Sequence, residues 1–95
     1  MTRIVWTDPA ISDLDSIHAY IARDAQIYAD AVILEIFEAV ERLMHCPLSG
    51  RVVPELLDVD TREIMAGNYR VIYEAKEDVV SILTVLHGAR QFPLL

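Results

Sequence analysis

Apolar positions in the first half of the chain recur at the spacing of helices, and in the second half at the spacing of strands. Residues 3–6 form a short β-prone opening. Asp8 then stands as an N-cap before Pro9, which fits the first helical position because its missing N–H costs nothing there. The helix that starts here carries Ala10, Leu14, Ile17 and Ile21 on one face, turns Asp13 and Ser16 away, and ends near Arg23 and Asp24. A second helix is predicted over 25–44, with a seam of Ala29, Ile33, Ile36, Val40 and Leu43 widened by Val32, Phe37 and Met44. Glu38 and Arg42 stand at i,i+4 spacing on it. Two amphipathic helices with a short connection predict an antiparallel hairpin.

The stretch 45–50, with Pro47 and Gly50, breaks the helical period, and the pattern changes to alternation. Extended segments are predicted over 61–65 and 69–75, joined by a three-residue turn, Ala66-Gly67-Asn68, in which Gly and Asn tolerate positive φ. In the second segment Tyr69, Val71 and Tyr73 share a face, opposite Arg70, Ile72 and Glu74. After a turn at 76–78, residues 79–86 are apolar on both faces, as expected of an interior strand covered on both sides. The fold class is therefore α+β: an N-terminal strand and a helical hairpin packed on a small, mainly antiparallel sheet, in the order β-α-α-β-β-β. Residues 1–95 form a single domain in this reading, since the length leaves no room for a second core.

A chain this short buries only about 60 to 65% of its unfolded surface, which makes a stabilising partner an early expectation. The 8 basic and 15 acidic residues give a net charge of -7, which disfavours broad nucleic-acid binding. The acid is uneven, with 3 basic against 8 acidic residues in 1–50 and 5 against 7 in 51–95, so any anion site is expected in the second half. A single cysteine, Cys46, fits a reducing cytoplasm. No apolar run is long enough for a signal or membrane span, so a soluble, cytoplasmic protein is expected. The apolar stretch Phe92-Pro93-Leu94-Leu95 is expected either to dock on the body or to meet a partner.

The three glycines make no phosphate-cradling motif, which leaves no cofactor expected. The histidines at 18, 45 and 87 show no metal-ligand spacing. Ser49 lacks a nucleophile elbow, and the helical carboxylates Asp13, Asp15, Glu35, Glu38 and Glu41 read as a solvated face. What remains is the set Arg51, Glu55, Arg62, Glu63, Arg70, His87 and Arg90. Arg62 and Arg70 lie on neighbouring strands of the hairpin and His87 and Arg90 close the last strand, so several are expected to converge on one sheet surface. Cleavage of RNA through its 2′-hydroxyl needs a base, an acid and a phosphate-binding cation, which His, Glu and Arg supply.

Trp6, the run Ala10-x-x-Asp13-Leu14-x-x-Ile17-x-x-Tyr20-Ile21, Pro47-x-x-Gly50-Arg51, Arg62-Glu63-Ile64, Gly67-Asn68-Tyr69-Arg70-Val71-Ile72-Tyr73 and His87-x-x-Arg90 together resemble the ParE/RelE toxin superfamily. The likeness spans essentially the whole chain. It implies the toxin of a bacterial type II toxin-antitoxin system, a class associated with plasmid stabilisation, neutralised by a ParD-like antitoxin in a hetero-oligomer. ParE-like members inhibit DNA gyrase, whereas RelE-like members are endoribonucleases that cut mRNA on the ribosome. One lysine, in a turn, and no tyrosine after Tyr73 favour the ParE branch and a non-enzymatic inhibitor. The nuclease alternative would use Glu55, Arg62, Arg70, His87 and Arg90. A helical hairpin on a small sheet leaves apolar surface uncovered, and Trp6, Tyr20 and Tyr28 are the candidate antitoxin contacts.

Overall fold

In a computed structural model the described residues run from 2 to 90. The predicted contacts of the stretch 92–95 therefore lie outside them. Strand β1 (Arg3–Trp6) leads into helix α1 (Asp8–Ala22) and helix α2 (Gln26–Glu41), which ends in a single 3₁₀ turn at Arg42–Met44. Strands β2 (Arg51–Val52), β3 (Thr61–Ala66), β4 (Tyr69–Lys76) and β5 (Val79–His87) follow. The expected α+β order is present, with the two-residue β2 added at one edge. All strands join one sheet in the order β1-β5-β4-β3-β2, and only β1, parallel to β5, departs from antiparallel pairing.

The α1 cap lies one residue earlier than the sequence suggested. Thr7, not Asp8, is the N-cap, and its hydroxyl accepts from the Ala10 amide at 3.4 Å while donating to the Ile82 carbonyl at 2.6 Å. Pro9 sits in the first turn, and Asp8 adds its negative charge at the positive end of the helix. The cap thereby ties the start of α1 to β5.

Both helices lie on one face of the sheet. Ala10, Leu14, Val32, Ile36, Ala39, Val40 and Leu43 pack there on Ala66, Val71, Tyr73, Val80, Ile82 and Val85. Full burial of a side chain such as Ile36 contributes about 1.5–3 kcal/mol. The predicted α2 seam is thus rotated: Val32 and Ala39 are buried, Ile33 is half-buried and Phe37 is exposed.

Strand β5 is apolar on both faces for a specific reason. Its pairing with β4 jumps from Ile72 opposite Thr84 to Tyr73 opposite Ile82, so Leu83 is an extra residue, a β-bulge. The bulge reverses the alternation. Val80 and Ile82 before it and Val85 after it all face the helices, whereas Leu83 and Leu86 join Val53 and Ile72 on the other face. Asp13 of α1 reaches this irregularity, and its carboxylate accepts from the Thr84 hydroxyl and, at 3.0 Å, from the Val85 amide. Asp13 is therefore a strut between layers, which corrects its reading as part of a solvated face.

Candidate functional site

The β3-β4 turn decides where the charged candidates point. Ala66 pairs with Tyr69, so only Gly67 and Asn68 lie in the turn, and Gly67 alone takes a positive φ, of 58°. A Cβ at Gly67 would also stand 2.5 Å from a Glu35 oxygen. In this register Arg62 is opposite Tyr73, on the helix-bearing face, and Arg70 is opposite Met65, on the far face. The two arginines do not share a surface.

On the far face Arg70 and Glu63 are both buried. One Glu63 oxygen accepts from Nε of Arg70 at 2.9 Å and also from its Nη2, while the other accepts from Nε of Arg51 at 2.6 Å. Arg70 completes its fork on Glu55, with Nη1 and Nη2 donating at 3.0 and 2.9 Å, and Nη1 also donates to the Arg90 carbonyl at 2.9 Å. Hydrogen bonds donated to Glu55, opposed by burial and reinforced by Glu63, hold the Arg70 guanidinium above its ordinary pKa. It stays charged at every relevant pH. Arg51, Pro54, Glu55, Met65, Arg70 and Gly88 border a cavity of about 320 Å³ beside this cluster.

Arg62 is spent on backbone carbonyls: Nε donates to Val59 at 3.0 Å, and Nη1 to Gly50 at 3.0 Å and Leu48 at 3.4 Å. It pins the loops on either side of β2. His87, in register with Tyr69, belongs to the helix-bearing face, where its ring meets Tyr69 edge-on at 5.6 Å. The structure thus joins Glu55 with Arg70, joins Arg90 to Arg70 only through its backbone, and places Arg62 and His87 elsewhere. Buried Glu63 and exposed Arg51, absent from the nuclease set drawn from sequence, complete the cluster. The signal for Glu63 was its strand parity with Arg70, available only once the turn length is known.

The helices present a second kind of surface. Trp6, Ile11, Leu14, Ile33 and Phe37, with Asp15 and His18 at the rim, line an apolar groove of about 460 Å³ between α1 and α2. The Trp6 and Phe37 rings meet edge-to-face at 5.1 Å on its wall. On α2 Leu34 and Ile27 are also 59% and 86% exposed, so further apolar side chains face solvent. Ile33 and Phe37 were legible only as seam residues, and Ile11 was not singled out. Of the predicted antitoxin contacts Trp6 lines this groove, while Tyr20 and Tyr28, 71% and 57% exposed, stand near Tyr69. Burial first, and then the phenols of Tyr28 and Tyr20, raise the pKa of Tyr69.

Across the groove mouth His18 bonds Asp30 at 2.7 Å. Among the described residues no group of three or more His, Cys, Asp or Glu side chains is placed to hold a metal ion, and no helix is long and apolar enough to cross a membrane.

Residues 4–92 match the family described as ParE toxin of type II toxin-antitoxin system, parDE. Among curated proteins the chain is similar to the candidate toxin Y4kP of Sinorhizobium fredii, 40% identical over 93 residues that cover 96% of this chain and 93% of that protein. It is also similar to toxin RelE2 of Caulobacter vibrioides, 30% identical over 91 residues, 95% of this chain and 99% of that protein. A solved structure, of a chromosomal ParDE TA system from P. aeruginosa, shares the fold with a TM-score of 0.78 at 21% identity, covering 92% of this chain and 96% of that one.

Proposed function

The chain belongs to the family of ParE toxins of type II toxin-antitoxin systems, and from that premise we propose that it is a protein inhibitor of DNA gyrase, held inactive by a cognate ParD-like antitoxin. The observation that carries this reading is the division of the charged residues. A nuclease needs acid, base and phosphate-binding cation around one reacting centre. Here Glu55 and Arg70 neutralise each other on the far face, Arg62 is bonded to carbonyls, and His87 lies across the sheet. An inhibitor that acts by binding requires no such convergence.

The antitoxin finds its place in the groove between α1 and α2. Apolar anchors from a segment that folds on binding fill the space lined by Trp6, Ile33 and Phe37, and Tyr20 and Tyr28 extend the contact. The toxin and antitoxin then form a hetero-oligomer in the cytoplasm.

Induction of the chain alone in a bacterium, with mapping of cleaved DNA and of transcript ends, tests the reading. Gyrase-linked DNA breaks that disappear on co-expression of the antitoxin are expected. Ribosome-dependent mRNA cuts that are abolished by His87→Ala would overturn it in favour of an endoribonuclease.

A further inference from the structure

Helix α2 is apolar on two opposite faces. Ala29, Val32, Ile36, Ala39 and Val40 are buried on the sheet side. On the side turned away from it Ile27, Ala31 and Leu34 are exposed and recur at steps of four and three, so they form one ridge. Glu38 and Glu41, also exposed, continue the same steps to the end of the helix. This is the seam of a helix that packs on a second helix, apolar over its first half and acidic over its second. Ile33 and Phe37, which line the groove, lie about a quarter turn away round α2.

The charge on α2 runs against the helix's own dipole. A helix favours acid at its start and base at its end. Helix α2 has no acidic residue in its first turn and no base in its last, where Glu38 and Glu41 stand instead. Among the described residues neither carboxylate has an ion pair, and Arg42, four residues beyond Glu38, pairs with neither. Exposed apolar side chains and uncompensated carboxylates are each unfavourable in the free chain, and a single occupant relieves both. A second copy is a poor one. Laid antiparallel it sets Glu41 on Ile27 and Glu38 on Ala31, where the carboxylates lose water against apolar groups, and laid parallel it sets carboxylate on carboxylate. An anionic surface is repelled by the net charge of -7.

We propose that this outward seam docks a basic amphipathic helix of a partner protein, its apolar residues on Ile27, Ala31 and Leu34 and its Lys or Arg side chains on Glu38 and Glu41. The apolar half supplies the attraction. The charged half fixes the direction and register of the incoming helix and supplies the positive charge that the end of α2 lacks. The groove lies to one side of the seam and stays open, so the inference goes beyond the gyrase reading and does not depend on it.

An NMR titration of the full chain with a synthetic helical peptide of about 15 residues tests it, the peptide carrying leucines at heptad spacing in one half and lysines in the other. A peptide with Glu in place of Lys and a scrambled peptide of the same composition serve as comparisons. The matched peptide should shift the signals of Ile27, Ala31, Leu34, Glu38 and Glu41 and leave that of the Trp6 indole in place. Leu34→Ala keeps a strong helix former at an exposed position, so the chain folds, and it should weaken binding about five- to tenfold. Glu38→Gln with Glu41→Gln should weaken it about three- to tenfold at low salt and little at 1 M. The same double variant should raise the Tm of the free chain by about 1–5 °C, because the opposed end charges are gone. Phe37→Ala in the groove should change nothing. No shift at millimolar peptide, equal binding of either comparison peptide, undiminished affinity in a folded Leu34→Ala chain, or a lower Tm in the double variant would each overturn the proposal. So would sedimentation of the free chain as a dimer that Leu34→Ala dissolves, which would give the seam to a second copy.

Discussion

The two faces of the sheet are buried by different physics. On one, two helices bury a continuous apolar layer from Ala10 to Val85, and the attraction is non-directional and proportional to area. On the other only Val53, Ile72 and Leu86 form a small apolar centre, and the remaining cover is a set of mutually satisfied charges. A residue lost from the first leaves a cavity that its neighbours partly close. A residue lost from the second leaves a buried charge without its partner.

The sharpest test sets Glu63 against Ile36, each fully buried on its own face. Glu63→Ala should cost about 3–5 kcal/mol, because Arg70 stays buried with one carboxylate fewer. Ile36→Val, a deletion of one methyl group, should cost about 0.5–1.5 kcal/mol. Urea midpoints at neutral pH separate the two. Replacing the guanidinium together with both of its carboxylates, as in Glu63→Leu and Glu55→Leu with Arg70→Met, should recover much of the loss, since apolar groups of similar volume carry no desolvation cost. A triple variant no better than Glu63→Ala alone would show that the far face needs its charges for geometry, not only for neutrality.

Next in size is Asp13, which joins the helix layer to the bulge. Asp13→Ala orphans the Val85 amide and the Thr84 hydroxyl and should cost about 1–3 kcal/mol. Hydrogen exchange should quicken at Val85 more than at Val71, which lies in regular pairing with Ile64. Equal quickening at both amides would mean that Asp13 stabilises the sheet generally and not the bulge.

These residues also show what was legible in the chain. The helical hairpin was, because period-3.6 seams survive a rotation of one position. Strands β3 and β4 were, because Gly67 and Asn68 punctuate them. The register was missed by a single residue: a three-residue turn pairs Met65 with Tyr69 and sets Arg62 opposite Ile72, on the face of Arg70. The two-residue turn that forms instead sends Arg62 to the other face. That one position was the difference between a convergent cationic surface and a divided one. The bulge at Leu83 was hidden because the run 79–86 is apolar in either phase. Asp13 in turn looked solvated, since its partners exist only where the bulge frees an amide. The groove residues Ile33 and Phe37 carry the same apolar signal as core, and only the packing angle of the helices exposes them.

A smaller effect comes from the contrast between the two hairpin turns. The β3-β4 turn spends a glycine on its positive φ, whereas the β4-β5 turn places Glu77 and Asp78 at φ of 54° and 63° between the paired Lys76 and Val79. Both positive angles mark a type I′ turn, which Asn-Gly fits without strain. Replacing Glu77-Asp78 by Asn-Gly should therefore raise stability by up to about 1 kcal/mol, measured by thermal unfolding. The same exchange in a turn without left-handed residues would only loosen the chain, so a loss here would argue against these backbone angles.

The smallest expected effect contrasts the buried charges with an exposed pair. Asp30 and His18 bridge the two helices at 2.7 Å in open water. The hydrogen bond to His18 is the main reason that the Asp30 carboxyl sits below the usual carboxylate range, with slight burial opposing and Gln26 assisting. A carboxyl depressed in the folded state adds stability above its unfolded pKa of about 3.9 and loses it as pH falls through the lower, folded value. The contribution is thus complete at neutral pH and disappears only in acid. Asp30→Asn should flatten the acid limb of a plot of urea midpoint against pH below about pH 4, with little change in its shape above. Raising the salt to 1 M should shrink the difference, because exposed charges are screened at that strength, while the penalty of Glu63→Ala should persist. Equal salt sensitivity of the two variants would erase the distinction between a face held by buried charge and a hairpin merely decorated with it.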